Sequence, residues 1–272
     1  MWAVQYTLIC PVADIERLSF ARHKLPTALR RLVPLCFPKR RQNVKILVID
    51  VGGSNVKILA TGQAERRSMI SGPELTAEAM VAGVKTLADG WTYDAVAIGY
   101  PGMVAADQPA KEPHNLAPGW VAFDYPAAFG CPVRIINDAA MQALGSFDKG
   151  KLLFLGLGTG LGSAMVINGL VVQMELAHLP YRKGTFEDYV GDAALNRHGK
   201  KTWCKRVADV VARLTAALVP DEVVLGGGNV RHLNELPPLC RLGDNANAFI
   251  GGFRLWEDPT NRPTIKRNPT VN

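Results

Sequence analysis

Cysteine is sparse in this chain. The five residues (Cys10, Cys36, Cys131, Cys204, Cys240) are widely separated, form no CxxC pair and are odd in number. This argues against a disulfide framework or a cysteine zinc cluster and fits a reducing, cytoplasmic setting, with each thiol read as a small buried hydrophobe. Long apolar runs are missing as well. No stretch reaches the roughly 18 to 20 residues of a membrane span, and "LLFLGLGTGLGSAMVINGLVV" is studded with glycines, so it reads as a buried strand–turn–strand. A GxxxxGK[ST] phosphate loop is absent.

An excess of one charge is absent from most of the chain, although its net charge is +7. Residues 1–44 hold eight Lys/Arg against two Asp/Glu, and the other 228 residues hold 23 against 22. The basic character therefore belongs to a leader. Its "FPKRRQNVK" could touch an anionic polymer or a membrane surface, but a solvated tail is the preferred reading. "MWAVQYTLICPVAD" lacks the basic start of a signal peptide. Neither a nucleic acid nor a membrane is expected as a partner.

What remains is enough apolar material, 48% of residues, for one large or two modest domains. "VKILVIDVGG" (44–53) reads as a buried strand ending in glycines, followed by "NVKILATG" and "ERRSMISG" as strands or a hairpin. Helical spacing over 76–89 puts Met80, Val84 and Leu87 on one face, with Thr76 as cap. Further strands are expected in 93–104 and in "CPVRIIN", a short helix in "DAAMQALGSF", a strand–turn–strand in 151–169, an amphipathic helix over 209–219, a strand within 221–230 and a last helix over 246–256. Three apolar strands thus run into glycine turns, at 52–53, 156–162 and 226–228, and strands alternate with helices. The expected fold class is α/β in two lobes, with ligands at the carboxyl ends of the strands. The expected division is a leader over 1–44, a first lobe over 45–136 joined by helix 246–256, a second lobe over 137–245 and a polar tail over 257–272.

One carboxylate draws attention. Asp138 comes just after the short apolar run Ile135–Ile136 and Asn137 and precedes an alanine-rich helix, in "IINDAAMQALG". Either Asn137 or Asp138 can cap that helix, and capping alone would explain a polar residue there.

Eight motifs in order carry a resemblance. "DVGGSNVK" (50–57), "YPGMV" (100–104), "HNLAPGW" (114–120), "NDA" (137–139), "GLGTGLGSA" (156–164), "ELAH" (175–178), "FEDYVG" (186–191) and "PDEVVLGGGNV" (220–230) resemble those of the ROK sugar-kinase family, within the actin-like/hexokinase ATPase superfamily. The similarity covers about residues 45–256 and is strongest to the polyphosphate-using glucokinase branch. It implies a two-lobed actin-like, ribonuclease H-like fold with the ligand cleft between the lobes, and a glucokinase drawing on polyphosphate, ATP or both, with Mg²⁺. Asp138 would be the base that takes the proton from the sugar 6-hydroxyl, and Asp50 would orient Mg²⁺ through water. Gly52, Gly53, Ser54, Gly158, Thr159 and Gly160 would hold donor phosphates, while Gly227 and Gly228 would leave room for adenine and ribose. Lys57 either neutralises phosphate or is a solvated strand lysine. Asn115, Asn137, Glu175, His178 and Glu187 would meet sugar hydroxyls.

Two departures matter. The family's CxCGxxGC zinc cluster is replaced by "LPYRKGTF", so no structural zinc is expected. ExGH has become ELAH, and Ala177 would be strained if the family's glycine needs positive φ. A polyphosphate user should carry a basic track, and "RHGKKTWCKR" (197–206) is either that track or an ordinary solvated helix face. Other members of the family are sugar-responsive repressors with an N-terminal helix-turn-helix, which the short, proline-interrupted leader does not resemble. A homodimer is implied by the resemblance.

Overall fold

Ile46–Val51 is apolar on both faces except at Asp50, as a central strand must be, and a computed structural model puts it there. The model describes residues 44–244 and 246–257; most of the expected leader and tail lies outside these residues. Strand β1 (Ile46–Val51) pairs antiparallel with β2 (Asn55–Ala60), which pairs antiparallel with β3 (Arg67–Ile70). Helix α1 (Ala77–Leu87) follows, its first turn closed by Ala79 N–H donating to Thr76 Oγ1 at 3.2 Å. Met80 and Val84 are fully buried against Leu47, Ile49 and Ile58, while Leu87 stays at the edge. Strand β4 (Ala95–Tyr100) runs parallel to β1. A small hairpin, β5 (Val104–Ala105) and β6 (Gln108–Pro109), and the short helix α2 (Tyr125–Phe129) lead to β7 (Val133–Asn137), which is parallel to β4.

Helix α3 (Asp138–Ser146) carries the chain to a second sheet. Here β8 (Lys151–Leu157), β9 (Leu161–Ile167) and β10 (Leu170–Met174) form an antiparallel meander. The hairpin β11 (Pro180–Tyr181) and β12 (Gly184–Thr185), helix α4 (Glu187–Val190) and helix α5 (Asp192–Leu218) come next. Strands β13 (Glu222–Gly226) and β14 (Cys240–Leu242) then extend the sheet in parallel, and helix α6 (Asn247–Arg254) closes the described chain. The sheet orders are β3-β2-β1-β4-β7 and β10-β9-β8-β13-β14. Each is a meander followed by two parallel strands, so the second sheet repeats the topology of the first.

Between the sheets, α3 and α6 share one apolar layer. Val48 and Ala97 from one sheet and Phe154, Val166 and Val224 from the other pack with Ala140, Met141 and Phe249. The two helices approach so closely that a Cβ on Gly145 would collide with the carbonyl of Asn247, and one on Gly251 with that of Met141. The described residues fall within one compact unit.

Helix α5 differs from expectation. It begins at Asp192 rather than near 209 and includes the basic run, with a break at Gly199 (φ 73°, ψ 159°). Its buried residues Ala194, Trp203, Val207, Val210, Val211 and Leu214 recur at helical spacing. Between charged neighbours the early members of that stripe are thin enough to be missed. Among the described residues, no helix is long and apolar enough to cross a membrane.

Candidate active site

The carboxyl end of β7 meets the start of α3 at Asn137 and Asp138, and the capping task falls to Asn137. Its Oδ1 accepts N–H bonds from Ala139 (3.0 Å) and Ala140 (3.2 Å), and its Nδ2 donates to Gly102 O at 3.1 Å. The Asn137 N–H donates to Gln173 Oε1 (3.0 Å), and Gln173 Nε2 donates to Val104 O (3.4 Å), which ties β10 of the second sheet to the first. Asp138 is thereby released from capping, apart from a 2.7 Å bond accepted from Ala139 N–H. Removal from bulk water pushes the Asp138 carboxyl up to about 7, and the Asp50 carboxylate adds to the rise. The Ala139 N–H opposes the shift, and Glu175 adds a smaller push upward.

Asp50 stands in β1 directly opposite Lys57 of β2. Burial raises its pKa and Lys57 draws it back, with the net shift upward. Cross-strand partners share a face, so Lys57 is the local counter-charge of Asp50. The turn that follows is tightly closed. Gly52 N–H donates to Asn55 O (3.0 Å), Ser71 Oγ donates to Gly52 O (2.6 Å) and Ser71 N–H to Ser54 O (3.0 Å). A Cβ on Gly53 would lie 3.8 Å from Cβ of Asn115, so Asn115 overhangs this first turn. The loop bearing Asn115 is organised by Glu112, whose carboxylate accepts from the N–H groups of Gly119, Trp120 and Val121. Slight burial works against its ionisation, but the three bonds hold its pKa below the usual range.

The second glycine turn, 158–160, joins β8 to β9 and is held from three sides. Glu187 of α4 lies against Gly160, where an added Cβ would displace its carboxylate, and its Oε2 accepts Leu161 N–H at 3.2 Å. Asp192 N–H at the start of α5 donates to Gly158 O (3.0 Å) and Thr159 O (3.2 Å). Asn229, which is buried, donates through Nδ2 to Gly158 O (3.2 Å) and to Asp192 Oδ1 (2.8 Å). Gly227, at φ 83°, packs its Cα against the backbone of Leu157, where any Cβ would strike the carbonyl. Turn 226–228 and turn 158–160 are thus one bonded assembly.

Glu175 and His178 flank a short 3₁₀ turn, Leu176–His178, pinned to β9 by Leu176 N–H donating to Ser163 Oγ at 3.1 Å. His178 Nε2 lies 3.9 Å from Glu175 Oε2, and both side chains are substantially exposed. Ala177 is buried beside them without positive φ, so the alanine carries no left-handed strain.

The structure therefore gathers Asp50, Asp138 and Glu175 into one electrostatic cluster and sets Asn137 beside it. His178 stands next to Glu175 and Asn115 over the first turn. Glu187 is engaged by the second turn. Sequence reasoning missed Glu112, Gln173, Asp192 and Asn229. Their role is to hold loops through bonds between segments distant in the chain, and only the "GGGN" context hinted at one of them. Among the described residues, no group of three or more His, Cys, Asp or Glu could hold a metal ion by itself. A lone recessed carboxylate such as Asp50 suits Mg²⁺, which keeps several waters and is bound through one or two carboxylates and substrate phosphates.

Residues 46–174 match the ROK family. A polyphosphate glucokinase of Mycobacterium leprae is 28% identical over 217 residues, covering 70% of this chain and 65% of the relative, just under two thirds of its length. The inorganic polyphosphate/ATP-glucomannokinase from Arthrobacter sp. strain KM superposes with a TM-score of 0.67 at 23% identity, over 77% of this chain and 97% of that one. A ROK family glucokinase from Streptomyces griseus, solved with glucose and AMPPNP, gives 0.65 at 16% identity, over 78% and 98%. These neighbours show the fold, which is the actin-like ATPase fold.

Proposed function

We propose, from the match of residues 46–174 to the ROK family, that this protein is a ROK sugar kinase that phosphorylates the 6-hydroxyl of glucose. The observation that carries the proposal is Asp138. It is a carboxyl group with a pKa of about 7, at the start of a helix another residue caps, beside Asp50 and Glu175. A neutral hydroxyl is a weak nucleophile, and a base poised near the working pH is best able to take its proton. In this reading Asp138 is that base, and Asn115, Asn137, Glu175, His178 and the second oxygen of Glu187 meet the sugar hydroxyls. The backbone of Gly52, Gly53 and Ser54 faces the donor from one sheet, and that of Gly158, Thr159 and Gly160 from the other. Lys57 opposes the upward shift that burial imposes on Asp50. Mg²⁺, oriented by Asp50 through water, would offset charge on the donor phosphates.

For the donor we propose polyphosphate, with ATP as a second donor whose adenine and ribose would lie at Gly227 and Gly228. The name of the Mycobacterium leprae relative supports polyphosphate, and that of the Arthrobacter neighbour supports both. A cytoplasmic homodimer completes the proposal. The experiment is formation of glucose 6-phosphate by the full chain with Mg²⁺ and either polyphosphate or ATP. Turnover with polyphosphate bears the reading out. Turnover with ATP alone makes the protein an ATP glucokinase, and turnover only with another hexose reassigns the acceptor. Specific DNA binding without any turnover would instead place it with the sugar-responsive regulators.

A further inference from the structure

The basic run 197–206 does not form a linear track. Arg197 and Arg206 are nine residues apart, which in an unbroken helix would turn them to opposite faces. The break at Gly199 redirects the chain, and both side chains line one cavity of about 410 Å³. His198 joins them, and Lys183 arrives from the tip of the β11–β12 hairpin. Lys200, Lys201 and Lys205 do not line this cavity and are exposed. The one acid in the wall, Asp188, is already engaged by Thr185 through N–H (2.8 Å) and Oγ1 (2.9 Å).

Asp188 also feels the charge of Arg197, but one carboxylate faces Lys183, Arg197 and Arg206, and three observations indicate that most of this positive charge is left unpaired. Lys183, Arg197 and Arg206 form no ion pair among the described residues. Arg206 Nη1 is buried with no hydrogen-bond partner among them, although its guanidinium stacks 5.0 Å from the Tyr189 ring centre. His198 has its pKa lowered, first by partial removal from water and then by Arg206 and Arg197. An unpaired buried guanidinium nitrogen is costly, and an anionic oxygen is its natural partner. The wall contains no Val, Leu, Ile or Met side chain, and Arg206 stacks on the ring of Tyr189. That suits a polyanion better than a nucleoside.

The position of the cavity names the polyanion. Its wall includes Asp188 and Tyr189 of α4, and the adjoining Glu187 holds the 158–160 turn. Arg197 and His198 belong to the segment whose first residue, Asp192, also bonds that turn. The basin and the second phosphate turn are two sides of the same short structure.

We propose that this basin is a subsite for the part of a polyphosphate donor lying beyond the transferred group. It selects long donors over ATP. The inference rests on the kinase reading above only for the word donor; the binding itself is independent of turnover.

The test uses the full-length protein and two double variants with the same loss of charge, Lys183→Ala/Arg197→Ala in the basin and Lys200→Ala/Lys201→Ala outside it. Binding of fluorescently labelled long-chain inorganic polyphosphate is measured without sugar, and KM and kcat are measured with polyphosphate and with ATP. The basin variant should weaken polyphosphate binding about five- to tenfold. Its KM for polyphosphate should rise in parallel, with kcat and any ATP-dependent turnover unchanged, while the outside variant behaves as the unaltered protein. Equal losses in the two variants, or unchanged polyphosphate binding in the basin variant, overturn the proposal. So does an unaltered protein that does not bind polyphosphate. If the unaltered protein binds polyphosphate through these residues yet phosphorylates no sugar, the subsite stands and the kinase reading falls. If it uses polyphosphate but the basin variant has normal KM, the kinase reading stands and the subsite falls.

Discussion

At the residue scale, Asp138 is the position where a proton decides most. Asp138→Asn keeps the shape and the bond from Ala139 but cannot accept the hydroxyl proton, so kcat should fall about 10²-fold or more while sugar still binds. Steady-state kinetics paired with a sugar-binding titration separates the two, and near-normal kcat would remove Asp138 from the chemistry. The raised pKa also has a consequence for stability. The folded carboxyl holds its proton up to about pH 7, against an ordinary value of 3.8. Its favourable contribution is therefore complete below about pH 4 and is lost as pH rises through about 7. Asn resembles the protonated acid, so the Tm of Asp138→Asn relative to the unaltered protein should rise between pH 4 and pH 8. A constant difference in Tm would mean the carboxyl titrates normally. The kcat/KM profile of the unaltered enzyme should fall on the acid side of pH 7 for the same reason. "IIND" allowed either Asn137 or Asp138 to be the cap. Only the N–H bonds to Asn137 settled which one was free.

At the scale of elements, the 158–160 turn depends on neighbours remote in sequence. Asn229→Ala removes two bonds from a buried amide and leaves Asp192 and Gly158 O short of a partner. It should destabilise the fold by about 1–3 kcal/mol and raise KM for the donor more than KM for the sugar. Denaturant titration with donor kinetics tests this, and equal effects on both KM values would argue against a role in the donor turn. Helix α3, which presents Asp138, is secured at its other end by Arg254. This buried side chain donates to Leu144 O (2.9 Å) and Phe147 O (2.7 Å), carbonyls of the last turn that the helix itself leaves unpaired. Arg254→Ala should lower stability by about 2–4 kcal/mol, read from the midpoint of a urea melt. The strands, the α1 cap at Thr76 and the short helix after "RIIN" were legible because their periodicity and capping signals are local. Helix α5 was legible only in its second half, where valines and leucines recur densely. Its first half carries the apolar stripe on Ala194 and Trp203 among lysines and arginines, and Gly199 interrupts the period.

At the scale of the whole molecule, both sheets, the three apolar cores and the candidate site are built from residues 44–257. A chain beginning at Val44 should therefore fold by itself, with a single cooperative melt. A broad, non-cooperative melt would show that this body is not self-sufficient. The repeated sheet order was visible in outline, since each half opens with an apolar strand ending in glycines. The shared layer of α3 and α6 was not, because the close contact of Gly145 and Gly251 joins residues over a hundred positions apart. By itself, the sequence determined the strands, the glycine turns, the order of motifs and the carboxylates available, since each is a property of neighbouring residues. Only the tertiary structure decided that Asn137 caps while burial, and then Asp50, raises the pKa of Asp138, that Glu187 clamps the 158–160 turn, and that half of a basic run joins Lys183 around one cavity. Those outcomes depend on distances through space between remote segments and on water being excluded from them, which no local pattern encodes.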